Sequence, residues 1–328
     1  GQIFNAVSLI SGREVAVKFE EFDPLDRRIA SVPYEAAVYH HLGDHHALPR
    51  VHWSGTMDGM HILIIDKLGP NLQQLRRACR GTFSLTTIKL LAEVMLDVVE
   101  HAHKRSIIFR DIKPENFAVG YHPYGATSIY AFDFGLARLY INPSTGKHIP
   151  YREDRHRCGT IRYCSHNAEY GREQSRRDDI EALGHTLLYL FLGSLPWQGI
   201  YAPGIDEKKE RIREMKTNNS FREFLNNTEG PFLKYFEHCW GLEFEQEPDY
   251  DYLRSLFRRT STDGPGVFDW ISGAHQGTLL PCEYRFDLPS VFKGGQKLPP
   301  SWRLTKRHLA DALAEKVALA KEIEMPSS

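Results

Sequence analysis

Four short groups of residues in this chain are of the types that handle phosphate and metal. In chain order they are Val15-Ala16-Val17-Lys18, Glu35, Phe109-Arg110-Asp111-Ile112-Lys113-Pro114-Glu115-Asn116, and Asp133-Phe134-Gly135. Lysine ammonium groups neutralise phosphate oxygens, while Asp carboxylates and an Asn carbonyl are the hard oxygen ligands that magnesium prefers. A carboxylate in a loop can also take the proton of an attacking hydroxyl. Phosphoryl transfer calls for this combination, because it needs little covalent help but much positioning and charge neutralisation. A tripeptide such as Asp-Phe-Gly arises by chance, so each group alone is weak. Their fixed order carries the weight.

The elements that must hold these groups follow from patterning. Ile3 to Ile10 and Glu14 to Glu20 read as strands around a Ser11-Gly12 turn, His61 to Ile65 as another, and Tyr34 to Leu42 as a helix. Lys18 thus falls on a strand and Glu35 on a helix of a small sheet-rich unit. From Asn71 onward the pattern becomes helical: in Leu85 to Lys104, Leu91, Val94, Met95, Val98, Val99 and Ala102 recur at three and four. Lys67-Leu68-Gly69-Pro70 reads as the linker between the two patterns. Two strand-loop segments, 108–119 and 128–135, interrupt the helices and carry Asp111, Asn116 and Asp133. Asp178 to Leu192 reads as a buried helix stopped at Gly193. Residues 273–300, rich in Gly and Pro, predict a linker, and Leu309, Leu313, Val317 and Ala320 an amphipathic last helix. Its stripe suits docking on the body of the protein or on a partner helix.

Composition bounds the reading. With 328 residues the chain fits about two compact units. Forty-one basic and 42 acidic residues leave a net charge of −1, which excludes a globally basic nucleic-acid binder and makes any charge-based recognition local. Five cysteines, odd in number and without a C-x-x-C pair, suit free thiols in a reducing compartment. No leader of basic then apolar residues opens the chain and no 18-residue apolar run spans a bilayer, so the cytoplasm or nucleus is expected. The sixteen histidines read as scattered, with no metal expected beyond nucleotide-bound magnesium.

Together the four groups resemble the protein-kinase signature set. That resemblance implies an α+β, two-lobed protein-kinase fold with a small β-rich N-lobe (1–66) and a mainly helical C-lobe (67–272), residues 273–328 being appended. It implies ATP and Mg2+ as cofactors. Lys18 would hold the α and β phosphates and Glu35 would hold Lys18. Asp133 would bind magnesium and Asn116 a second one. Asp111 would accept the substrate proton, with Lys113 beside the γ-phosphate. In the adenine pocket Ile3, Ala16 and Ile65 would be walls, Asp66 to Leu68 the hydrogen-bonding backbone edge and Ala118 the floor. Asp179, in Asp-Ile-Glu-Ala-Leu-Gly, matches the buried helix Asp that supports the catalytic loop.

Longer stretches narrow the likeness. Leu68-Gly69-Pro70-Asn71-Leu72, His148-Ile149-Pro150-Tyr151-Arg152-Glu153, Glu173-Gln174-Ser175-Arg176-Arg177-Asp178-Asp179, Leu192-Gly193-Ser194-Leu195-Pro196-Trp197-Gln198-Gly199 and Pro248-Asp249-Tyr250-Asp251-Tyr252-Leu253-Arg254 resemble casein kinase 1 over residues 1–272. Ser165-His166-Asn167 stands where most kinases have Ala-Pro-Glu, which suits the same family. The resemblance implies Ser/Thr protein substrates bearing acidic or phosphorylated residues, with Arg162 and Lys208, assisted by Arg155, as the anion site. A solvated basic face is the alternative for these three. Lys208-Lys209 with Arg211 and Arg213 reads equally as a nuclear signal or a solvated helix face.

Three departures complete the reading. Phe109 replaces the usual His before Arg-Asp, able to pack on Phe134 but without the polar contact. Ala118 replaces the usual Leu, which predicts a roomier pocket. Gly1-x-Ile3 holds the place of the last glycine of the phosphate loop, so weaker ATP binding is expected of the chain as it stands. Two functions are therefore carried forward: a Ser/Thr kinase, and a pseudokinase scaffold.

Overall fold

The computed structural model describes residues 2–8, 11–21, 30–121, 125–155, 158–259 and 266–271. Strands β1 (Gln2–Val7), β2 (Glu14–Glu21), β3 (Val51–Met57) and β4 (Met60–Asp66) form an antiparallel sheet in the order β1-β2-β4-β3, with helix α1 (Ser31–Leu42) packed on it. Alternation along the strands decides what each face carries. Val15, Val17 and Ile62 gather with Phe19, Trp53 and Ile64 in a small apolar cluster on one face. Ala16 and Lys18 turn to the other, in register with Ile65 and Leu63 of β4, and Leu63 packs in the main core with Val38 and Leu42 of α1. The sequence pattern does not mark β3, whose His52, Ser54, Gly55 and Thr56 dilute the apolar alternation. Pairing with β4 makes it a strand.

Where a linker was expected, the chain continues in sheet. Only Lys67 separates β4 from β5 (Leu68–Asn71), and β5 pairs with β7 (Phe117–Gly120), which pairs with β8 (Ile129–Ala131). Pro70 sits at the register shift between Leu68 and Asn71, where its missing N–H breaks no ladder bond. A Cβ on Gly69 would lie 3.0 Å from the Gly120 carbonyl, so the strands can approach only because residue 69 has no side chain. Between these strands lie α2 (Leu72–Ala78), α3 (Leu85–Lys104) and the two-residue β6 (Ile107–Ile108), which pairs with β9 (Arg138–Leu139).

The remainder is helical: α4 (His166–Glu169), α5 (Arg176–Leu192), α6 (Ile205–Thr217), α7 (Asn219–Asn226), α8 (Phe232–Gly241) and α9 (Tyr250–Leu256). Ser84 caps α3, its hydroxyl accepting the Thr87 N–H at 3.3 Å, and the helix buries Ile88, Leu91, Ala92, Met95, Leu96, Val99 and Ala102. Helix α5 is buried along nearly its whole length against α3 and α8, and ends at Gly193, whose φ of 83° is the left-handed conformation that stops a helix. The result is the expected α+β arrangement of a sheet-rich part followed by a helical one. One apolar core runs from α1 and Leu63 through α3 to α5 and α8. No helix among the described residues is long and apolar enough to cross a membrane. Gly1, the 273–300 linker and the helix around Leu309 to Ala320 lie outside the described residues.

Candidate active site

Strand β2 and helix α1 are joined at the point that matters for Lys18. The start of α1 has no capping side chain of its own; instead the Glu20 carboxylate of β2 accepts the Ser31 hydroxyl at 3.0 Å and the Val32 N–H at 2.8 Å. This fixes the helix against the strand, and two turns of chemistry follow. Lys18 Nζ lies 2.6 Å from Glu35 and 3.3 Å from Asp133. Burial works against the Lys18 charge, but Glu35 and then Asp133 outweigh it and hold the ammonium above its ordinary pKa. Ile3 lies opposite Lys18 across β1 and β2, and Ala16 opposite Ile65, so Ile3, Ala16, Lys18 and Ile65 share one face of the sheet.

Asp133 has a φ of 64°, a left-handed conformation unusual outside glycine. Phe134 behind it is buried, with its ring 4.9 Å from Tyr39 of α1 and 5.2 Å from Phe109, both edge to face. The aromatic at 109 thus packs where a His would otherwise stand. Tyr34 of α1 also donates its hydroxyl to the Ala137 carbonyl.

The loop 109–116 is held from beneath by α5. The Asp179 carboxylate accepts the Phe109 N–H at 2.7 Å and the Arg110 N–H at 2.9 Å, and contacts His103 Nε2 at 2.9 Å; His103 Nδ1 in turn meets the Tyr250 hydroxyl at 2.6 Å. Arg110 is itself left-handed, with φ 64°, a cost these bonds offset. Beyond it both oxygens of Asp111 are engaged. Lys113 donates to one at 2.5 Å, and the backbone N–H and hydroxyl of Thr160 donate to the other at 2.9 and 2.8 Å. Asn116 donates its amide to the Asp111 carbonyl at 3.0 Å, which leaves its own carbonyl oxygen as the donor to a cation. Gly159, at φ 93°, brings Thr160 this close: a Cβ there would lie 2.4 Å from the Arg110 carbonyl.

Thr160, Gly159, His103 and Tyr250 were not singled out as site residues from the sequence. The spacing of Thr160 from Asp111 carries no local signal; only the fold joins them.

A model of the protein kinase domain matches residues 1–248 of the chain. The chain belongs to the protein kinase family. Among curated relatives the kinase is 42% identical over 276 residues to Casein kinase I homolog 1 of Schizosaccharomyces pombe, covering 82% of this chain and 61% of that protein. It is 40% identical to Casein kinase I homolog 2 of the same yeast over 277 residues, 83% of this chain and 63% of the relative. The chain is thus similar to these two casein kinase I homologs, and it spans about three fifths of their length.

Asp66 spends its carboxylate on the Arg50 N–H (2.9 Å) and His52 (2.7 Å) at the end of β4, Leu68 begins β5, and Ala118 is buried in β7 opposite Asn71. Arg155 lies 3.3 Å from Glu173, a carboxylate that Arg138 also meets at 2.8 Å. Arg162 rests its guanidinium over Tyr189 at 5.3 Å and Tyr163 at 5.7 Å, while its carbonyl accepts the Trp197 indole N–H at 2.9 Å. Lys208 is exposed on α6.

Proposed function

We propose that this kinase transfers the γ-phosphate of ATP to Ser or Thr hydroxyls of proteins carrying acidic or phosphorylated residues. The observation that carries the reading is the Lys18 ammonium lying between Glu35 and Asp133. A decayed site has no chemical reason to keep a buried carboxylate paired to a lysine that also faces a second carboxylate.

Bound magnesium-ATP supplies an activated phosphoryl group whose charge is partly neutralised. Asp133 and the Asn116 carbonyl are the oxygen donors suited to hold magnesium, and Lys18, steadied by Glu35, holds phosphate oxygens. Ile3, Ala16 and Ile65 share the Lys18 face and give apolar walls to a planar base, with the backbone of 66–68 as its hydrogen-bonding edge and Ala118 as its floor. Asp111, kept in place by Thr160, takes the proton of the incoming hydroxyl, and Lys113 stands beside it to meet the phosphoryl oxygens. Arg162 and Lys208, with Arg155, offer the cations for an acidic or phosphorylated substrate residue; Arg155 shares Glu173 with Arg138, so an anion there competes with an ion pair already formed. With protein substrates and no expected nucleic-acid partner, the cytoplasm or nucleus is the compartment proposed.

Phosphate transfer from labelled ATP to Ser peptides, acidic, prephosphorylated or neutral, tests this for wild type and Asp111→Ala. Wild type should prefer the anionic peptides, and the variant should fall by about a hundredfold or more. Equal labelling by the two proteins overturns the reading.

A further inference from the structure

Away from the phosphate site, the turn after α1 and the middle of α3 bring three metal-capable side chains together. His45 and His46 stand in the segment 43–50 that leads from α1 to β3, and Asp97 stands on α3. One ligand atom from each lies within 4.8 Å of the other two. His45 Nε2 is 3.0 Å and His46 Nε2 is 3.5 Å from the same atom, Asp97 Oδ2. The Asp97 side chain is 42% exposed, but this oxygen is turned inward, with the two imidazole edges as its polar neighbours. Two imidazole nitrogens converging on one carboxylate oxygen repel each other as protonated rings, whereas as neutral rings they and the carboxylate form a donor set for one cation.

The dimensions indicate what that is. Metal bonds of about 2.0–2.1 Å at tetrahedral angles set neighbouring ligand atoms roughly 3.3–3.4 Å apart. The two observed separations bracket this edge. We propose that His45, His46 and Asp97 bind a divalent transition cation of the zinc class, which ties the turn after α1 to α3. Imidazole nitrogens with one carboxylate select such a cation over magnesium or calcium, which take sets of oxygens. Three protein ligands leave a fourth position to water. The histidines line an open concavity with His40, Arg50 and Asp66, which gives the ion a way in.

A neighbouring ring holds the site in shape. His101, one turn along α3 from Asp97, packs against His45 with ring centroids 4.1 Å apart and the planes tilted by 42°. Its nitrogens are committed to the Leu42 carbonyl at 3.0 Å and to Arg105 at 3.1 Å, so it orients His45 and does not ligate. His45 Nδ1 accepts the Ala47 N–H at 3.2 Å. Ligation through Nε2 moves the ring proton to Nδ1, and binding therefore gives up that long contact and lets the turn adjust. The ion then braces the end of the helix whose Glu35 holds Lys18. No local motif shows this group, because Asp97 lies far along the chain from the histidine pair.

The test titrates zinc into the full chain against a chromophoric chelator, without nucleotide or magnesium. Wild type is compared with His45→Gln, His46→Gln, Asp97→Asn and the control His61→Gln. One site per chain is expected, weakened at least about tenfold by each of the first three changes and untouched in the control. Cobalt in place of zinc should give the strong visible absorption of a four-coordinate ion in wild type and lose it in Asp97→Asn. The His46 side chain is 71% exposed, so its replacement leaves the fold intact and keeps the test decisive even where another variant unfolds. Unchanged zinc affinity in His46→Gln, or the absence of a one-to-one site in wild type, overturns the proposal.

Discussion

At the scale of single residues, the groups that do chemistry and the groups that hold them differ in how they can be found. Asp111 and Lys113 are two positions apart, so their 2.5 Å contact is written into one short loop. The second oxygen of Asp111 depends on Thr160, which only the tertiary fold delivers. Removing the Thr160 hydroxyl takes one of two donors from a charged acceptor, an interaction of about 1.5–3 kcal/mol. Thr160→Ala should therefore lower kcat about ten- to a hundredfold with little change in KM for ATP, and Thr160→Ser should restore most of it. Steady-state kinetics on an acidic peptide separates the two constants; a change confined to KM would show that Thr160 does not orient Asp111. Gly159 is a sterner case, since the Arg110 carbonyl is backbone and cannot step aside. In Gly159→Ala the loop itself must shift, and both activity and melting temperature should drop.

At the scale of elements, helix α5 acts as the platform of the loop 109–116 through one side chain, Asp179. Asp179 and His103 are both buried, and Tyr250 of α9 closes the chain of contacts. His103→Ala leaves a buried carboxylate short of a partner and should cost about 3–5 kcal/mol in urea unfolding. Tyr250→Phe removes one neutral hydroxyl and should cost about 1 kcal/mol. Similar losses in the two variants would mean that packing, not the polar relay, sets their worth. Much at this scale was legible in the sequence. Helix α3 spans Leu85–Lys104 as its apolar spacing indicates, because one stripe faces one core. The stretch 67–70 misled for a physical reason: Gly and Pro usually end sheet, but here Gly69 permits a close strand approach and Pro70 falls where no ladder bond is due. Strand β3 was hidden because its outward residues are polar or small, and only its pairing with β4 declares it. The Lys18–Glu35 pair is readable through the order of the motifs; the contact of Lys18 with Asp133 and the supports at Glu20, His103 and Tyr250 are not, since a polar partner brought by the fold leaves no periodic trace.

At the scale of the whole molecule, a net charge of −1 conceals charges set deep in the helical part. Lys216, fully buried, donates to the Ile161 and Cys164 carbonyls at 2.8 Å and pairs with Glu169 at 3.2 Å. Close by, Glu181 of α5 lies 2.7 Å from His166 of α4 and 3.9 Å from His185. Burial pushes the Glu181 carboxyl up, but His166 and His185 override it and hold it down at about 2. Burial, opposed by Glu181 and helped by the Lys216 charge, pushes His185 down to about 4, while Glu181 overcomes burial at His166 and raises it. The signs then fix what this cluster adds to the stability curve. His185 is harder to protonate folded than unfolded, so its stability is fully present above pH 6.5, the unfolded value, and is lost as pH falls towards about 4. By linkage that loss amounts to about 3 kcal/mol. His166 acts in the opposite sense: its contribution is present below 6.5 and is lost as pH rises through its raised folded value. The summed contribution of these two histidines should therefore peak near pH 6.5 and fall on both sides. In His185→Asn, an amide that keeps a donor for the Tyr163 carbonyl but does not titrate, the acid limb between pH 6.5 and 4 should flatten, after a pH-independent loss from imperfect filling of the space. Urea midpoints measured across that range for the two proteins decide the matter, since parallel acid limbs would remove His185 as the cause and leave His40, His45, His101 and His238, which burial also holds below 6.5, to account for it.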